Sequence, residues 1–111
     1  MAYDEVLAAR IRDFLGDGPG VTERKMFGGI CFMVNGNMCA GVTKDRLMAR
    51  VGIPNYQEAL KRPGAFEVEM SGRPMNGIVF LNSQDVESEE TLASWLEPCL
   101  DFATSLKPKV K

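Results

Sequence analysis

The residues with the most chemical potential in this 111-residue chain are three cysteines, a glycine pair flanked by basic residues, and several carboxylates. The chain contains no histidine, so the commonest general base, metal ligand and partner of a nucleophilic Ser or Cys is missing. The carboxylates of Glu67 and Glu69 share a face that the alternation predicts to be wet, where acid–base catalysis is poor. We therefore expect no catalytic residue, no metal site and no cofactor, and predict that the protein is not an enzyme.

Each cysteine has a structural interpretation. An odd count without CxxC spacing is typical of reduced, intracellular thiols rather than of a disulfide framework. Cys99 falls on the apolar stripe of a predicted helix, and Cys31 and Cys39 stand in predicted strands between large apolar residues. Buried core or interface positions are favoured for all three, and a redox role for one of them is the alternative.

A glycine pair offers the best candidate for ligand binding. Such a pair lets the backbone approach a phosphate closely, and basic residues nearby would supply charge. No GxGxxG or GKS/T pattern follows, so a tight bend or bulge between strands is the favoured interpretation. The anion-binding hypothesis stays open beside it, with the candidate residues Arg24, Lys25, Gly28, Gly29 and Arg73.

Elements that would position these residues follow from periodicity and turn signals. Apolar residues at steps of three and four predict an N-terminal helix, and Ser88 is placed to cap a long C-terminal helix that contains Pro98,. The whole pattern predicts an α+β fold, an antiparallel sheet with helices in the order α-β-β-β-α-β-β-α, with an extra strand at 22–26 as an option. We expect one domain over residues 1–106 and a basic C-terminal tail over 107–111.

Asn35-Gly36 is the strongest hairpin signal in the chain,. A two-residue turn there would pair Val34 with Asn37, Met33 with Met38 and Phe32 with Cys39. Both faces of this hairpin are then apolar, so we expect helices to cover one face and a partner to cover the other. The opposed Met33 and Met38 become the candidate partner-binding residues, with core filling as the alternative. The register assigns Ile30, Phe32 and Val34 to one face and Cys31, Met33, Met38 and Ala40 to the other.

Several strings together resemble the TfoX/Sxy N-terminal domain family. They are RKMFGGICFM at residues 24–33, NGNM at 35–38, RPMNG at 73–77 and LASWL at 92–96. The resemblance implies a sheet-and-helices fold similar to secretion chaperones and a link to regulators of competence genes, which act with the cyclic-AMP receptor protein at promoters. Those regulators carry a second, C-terminal domain, so this chain resembles the stand-alone members. The resemblance brings no catalytic or cofactor residues.

Charge and hydropathy narrow the class of partner. The net charge of −2 and the scattered basic residues disfavour direct DNA binding,. The N-terminus has no secretory signal, and no segment is long and apolar enough to span a membrane, so we expect a cytoplasmic protein. We predict a non-enzymatic regulatory or protein-interaction domain with a protein partner or as a homodimer. The alternative is a small-molecule or anion-binding domain that uses the Gly28-Gly29 bend.

Overall fold

The computed structural model describes residues 3–16, 18, 20–26, 28–67, 69–70, 73–74 and 77–107. Helix α1 (Glu5–Leu15) forms where the apolar spacing predicted it. The Asp4 carboxylate caps this helix by accepting hydrogen bonds of 3.0 Å from two backbone N–H groups of the first turn,. The helix ends at Gly16, whose φ of 75° is unfavourable for other residues,. Its buried residues are Leu7, Ala8 and Ile11.

Five antiparallel strands form the main sheet: β1 (Val21–Met26), β2 (Gly29–Val34), β3 (Asn37–Thr43), β4 (Arg46–Arg50) and β7 (Ile78–Asn82). They lie side by side in the order β1-β2-β3-β4-β7. Two short strands, β5 (Glu69–Met70) and β6 (Arg73–Pro74), pair with each other in a separate two-stranded sheet. The predicted α+β class and element order are confirmed, and the optional strand at 22–26 is present as β1.

The Asn35-Gly36 hairpin has the predicted register next to its turn and a different register beyond it. Met33 lies opposite Met38, but the pairing then shifts, so Phe32 lies opposite Ala40 and not Cys39. A β-bulge causes the shift because it sets two residues of one strand against one residue of the other. The assignment of Ala40 to the far face was therefore wrong, since Ala40 packs in the same cluster as Phe32.

Two helices follow the sheet strands, and each is entered through a short 3₁₀ turn. The turn Ile53–Asn55 leads into α2 (Tyr56–Leu60), and Ser83–Val86 precedes α3 (Glu89–Ser105). The Ser88 hydroxyl caps α3 by accepting a 3.0 Å hydrogen bond from a backbone N–H,. Among the described helices, none is long and apolar enough to cross a membrane.

The sheet separates two apolar clusters. The larger cluster lies between the sheet and the helices and is centred on Phe32, Leu47, Trp95 and Leu96, which are fully buried or nearly so. The smaller cluster lies on the opposite face, and we call it the methionine cluster. It consists of Cys31, Met33, Met38, Met48, Ile78 and Phe80, with Phe66 packed against it. The predicted two-sided apolar sheet is thus present.

Candidate interaction surface

The methionine pair selected from the sequence lies inside the folded chain. Met33 and Met38 face each other across β2 and β3, with exposed fractions of only 7% and 8%. Their neighbours Cys31 and Met48 are completely buried. The chain itself therefore covers this pair, which agrees with the core-filling alternative. The partner-binding role of Met33 and Met38 stays a prediction.

The glycine pair forms a bend between β1 and β2. Gly28 is exposed and has a φ of 72°, which few other residues adopt without strain,. Gly29 begins β2 and is buried so closely against β3 that a Cβ atom there would overlap the backbone carbonyl of Val42. Close packing between strands thus explains the second glycine, as the structural interpretation of the pair predicted.

Two of the basic residues proposed for an anion site, Arg24 and Lys25, do not converge. Arg24 lies opposite Cys31 and Lys25 opposite Ile30, so the two side chains project from opposite faces of the sheet. The side chain of Arg73 lies outside the described part of the chain. The anion-binding role of these residues with Gly28-Gly29 stays a prediction.

Burial also decides the chemistry of the cysteines. All three are free and buried. Burial raises the pKa of the Cys31 thiol to about 11 and that of Cys39 to about 12, and it raises the pKa of Cys99 as well. Because the thiolate is the reactive form, these thiols are poor nucleophiles at neutral pH.

The outer edge of β1 is the surface that sequence reasoning did not single out. Here β1 is the first strand of the sheet, with β2 on its inner side. Residues 22–25 of β1 are all exposed. The N–H of Val21 donates to the carbonyl of Gly18 and so points away from β2. Since backbone direction alternates along a strand, the N–H and C=O groups of Glu23 and Lys25 also point outward.

A charge pattern accompanies this edge. The carboxylate of Glu23 accepts two hydrogen bonds from the guanidinium of Arg12 on α1, at 2.6 and 2.9 Å. Arg12 thereby lowers the pKa of Glu23 and neutralises its charge. The side chains of Arg24 and Lys25 have no hydrogen bond or ion pair to any described residue. The edge is therefore locally basic within a chain whose net charge is −2. We call residues Thr22, Glu23, Arg24 and Lys25 the β1 edge.

A recess of about 480 Å³ adjoins this edge where α1 approaches it, lined by Arg12, Gly16, Val21, Thr22 and Glu23. Its lining combines the Arg12–Glu23 pair with exposed backbone. Sequence alone could indicate a polar, half-exposed strand at 22–26, but the edge position follows only from the strand order.

Arg62, which follows α2, differs from the basic residues of the β1 edge because its side chain contacts α3. Its guanidinium carbon lies 3.7 Å from the ring centroid of Trp95. Its two terminal nitrogens donate to the Ser94 carbonyl at 3.1 Å and to the Ser94 hydroxyl at 2.6 Å. Pro98 has no N–H to offer the carbonyl four residues earlier, which is that of Ser94. Arg62 thus supplies the donor that Pro98 lacks, and desolvation lowers its pKa.

The Arg62 contact borders a groove of about 220 Å³ between α2 and α3. Trp95 at its base is only 1% exposed. The position of Pro98 inside a predicted helix indicates, from sequence alone, that one helix carbonyl lacks its usual N–H donor. Which side chain reaches that carbonyl depends on how the chain packs after α2. We regard Arg62 as part of the fold, since its guanidinium donates to the Ser94 carbonyl and hydroxyl and lies over the Trp95 ring.

Comparison with known proteins gives one match. The family model described as the TfoX N-terminal domain matches residues 13–103, from within α1 to near the end of α3. No curated protein and no solved structure matches the chain.

Proposed function

The chain belongs to the TfoX N-terminal domain family, and from this premise we propose that it is a cytoplasmic, non-enzymatic regulatory domain that acts on competence-gene expression through protein contacts. The family match over 91 of 111 residues, 13 to 103, is the observation that carries the proposal. Two features of the structure support it. The buried thiols are held in their unreactive form, and backbone groups of β1 without a described partner lie at a charged sheet edge suited to a protein partner,.

The experiment compares a deletion strain of the host with the same strain carrying the wild-type gene. Transcripts of DNA-uptake genes and the frequency of transformation are measured under inducing conditions. We expect both to fall in the deletion strain and to return with the wild-type gene. Unchanged transcripts in the deletion strain would contradict the regulatory proposal.

A misfolded control shows that the folded domain is required. Gly29→Val is suitable because its Cβ would overlap the backbone carbonyl of Val42, and we expect it to fail to restore transcription. A second control, Lys61→Glu, changes an exposed residue whose one described ion pair, to Glu58, is also exposed. We expect that variant to restore transcription fully.

A further inference from the structure

We propose that the β1 edge is a strand-addition site for an extended, acidic segment of a partner protein. The proposal deepens the proposed function, on which it rests, by naming the chemistry of the partner. Its first support is the backbone. The outward N–H and C=O groups of Glu23 and Lys25 have no described partner, and an added strand would satisfy all four of them.

The second support is electrostatic. Arg12 neutralises Glu23, which leaves Arg24 on one face of the edge and Lys25 on the other without a described counter-charge. A partner strand that pairs antiparallel to β1 would place two consecutive residues opposite these two. Two consecutive acidic residues would therefore face one cation on each side of the sheet.

A second copy of this chain fits the edge poorly. In an antiparallel two-fold pairing that uses the outward groups of Glu23 and Lys25, the axis passes through residue 23, 24 or 25. An axis through residue 24 or 25 would set Arg24 or Lys25 against its own copy, and an axis through residue 23 would set Arg24 opposite Thr22 and Lys25 opposite Val21, which leaves both cations uncompensated. With the axis at residue 24, Lys25 would face Glu23 of the copy, a carboxylate that Arg12 already pairs with. Like charges directly opposite each other destabilise a strand pair. The sequence of β1 thus opposes self-association and admits a strand of opposite charge.

The test uses a fluorescent, end-capped peptide of sequence Ser-Val-Glu-Glu-Thr-Val-Ser and measures its binding by fluorescence anisotropy. In the antiparallel pairing its two glutamates lie opposite Lys25 and Arg24, and its threonine lies opposite Glu23. We expect saturable binding that weakens as salt is raised. We expect Arg24→Glu and Lys25→Glu each to weaken it about three- to tenfold. Lys61→Glu, with the same change in net charge, should bind like the wild type.

Backbone methylation of the peptide separates strand addition from simple charge attraction. The first glutamate and the threonine would direct their N–H groups at β1, so N-methylation at both should abolish binding. N-methylation at the second glutamate and the last valine should leave binding nearly unchanged, because those groups face away. Equal effects of the two methylation patterns would overturn the proposal, as would the absence of binding at millimolar peptide.

Light scattering of the wild type tests the competing occupant. A dimer that Lys25→Glu converts to a monomer would show that a second copy occupies the edge, and would overturn the proposal. The peptide test is independent of transcription. Suppose that the wild-type protein does not bind the peptide, while the wild-type gene still restores transcription in the deletion strain. That result would reject the β1 edge as a binding site and leave the regulatory role intact.

Discussion

Two basic regions of this molecule differ in what their charges contact. Arg62 lies over Trp95, and the hydrogen bonds of its guanidinium go to Ser94. Arg24 and Lys25 extend from an edge strand and contact no described side chain of opposite charge. The first cation completes the polar contacts of a helix that contains a proline. The other two are available to another molecule.

The difference shows that local sequence does not separate structural from available cations. Arg62 precedes Pro63-Gly64 in a polar turn, where a solvated side chain would be the ordinary expectation,. Arg24 and Lys25 lie in a family-typical string beside the Gly28-Gly29 bend, where anion binding was the alternative to a structural bend. In both regions the deciding facts are tertiary, namely the contact of Arg62 with α3 and the position of β1 at the end of the sheet.

The largest expected effect is on the unfolding free energy, and it comes from placing charge in the methionine cluster beside the β1 edge. Met33 lies directly opposite Thr22 of that edge, yet it is buried, as is Met38. We expect the double variant Met33→Glu/Met38→Glu to lose several kcal/mol of unfolding free energy and to be largely unfolded, because two carboxylates would enter an apolar cluster. Circular dichroism and urea unfolding would measure the loss.

The matched control is Met33→Leu/Met38→Leu, which keeps volume and should cost less than about 1.5 kcal/mol per site. A folded, monomeric glutamate variant of near wild-type stability would contradict the burial of this pair. It would also return the pair to consideration as a contact surface.

The next largest loss of unfolding free energy is expected from a variant that lacks the Arg62 contacts. Arg62→Ala should reduce the unfolding free energy by about 0.5–1.5 kcal/mol, since the exposed Ser94 carbonyl exchanges its guanidinium donor for water,. It also removes the stacking on Trp95, worth about 0.5–2 kcal/mol in comparable pairs. Urea unfolding of the purified variant would measure the combined loss. Lys61→Ala, one residue earlier and exposed, should stay within about 0.5 kcal/mol of the wild type,.

A double-mutant cycle isolates the part of this loss that comes from the proline. In Pro98→Ala the new N–H can bond to the Ser94 carbonyl, so Arg62→Ala in that background should cost about 1 kcal/mol less than in the wild type. An equal cost of Arg62→Ala in both backgrounds would show that Arg62 does not substitute for the missing helix donor.

The sequence predicted the parts of the fold that depend on short-range signals. Apolar spacing predicted α1, and Asn35-Gly36 predicted the hairpin turn and its first two residue pairs. The bulge that moves Ala40 to the other face has no such signal, since it depends on how β3 packs between β2 and β4. The alternation also showed that both faces are apolar, but whether the chain or a partner covers the second face depends on distant segments.

For the candidate surface, the sequence identified two of the residues but not their arrangement. Arg24 and Lys25 were named from the sequence as anion ligands with the Gly28-Gly29 bend, but strand alternation sends them to opposite faces,. That alternation argues against one small anion between them and suits a strand that meets both faces at once. The Arg12–Glu23 pair, which sets the charge of the edge, joins α1 to β1 and could not be derived from either segment alone.

The smallest expected effect is the contribution of the Arg12–Glu23 pair to stability, which should depend on pH. Arg12 holds the pKa of Glu23 below its ordinary value, so the pair stabilises the folded state fully above the unfolded pKa of roughly 4.3. The contribution is lost as pH falls through the lowered folded pKa. Both side chains are partly exposed, so Glu23→Gln should cost about 0.2–1 kcal/mol at pH 7 and nothing near pH 2. Urea unfolding at both pH values would measure this difference.

The exposed Glu97 has no described ion pair, and Glu97→Gln should show no such change. A cost of Glu23→Gln that is the same at both pH values would mean that Glu23 keeps its place through packing, and that its charge is not neutralised by Arg12.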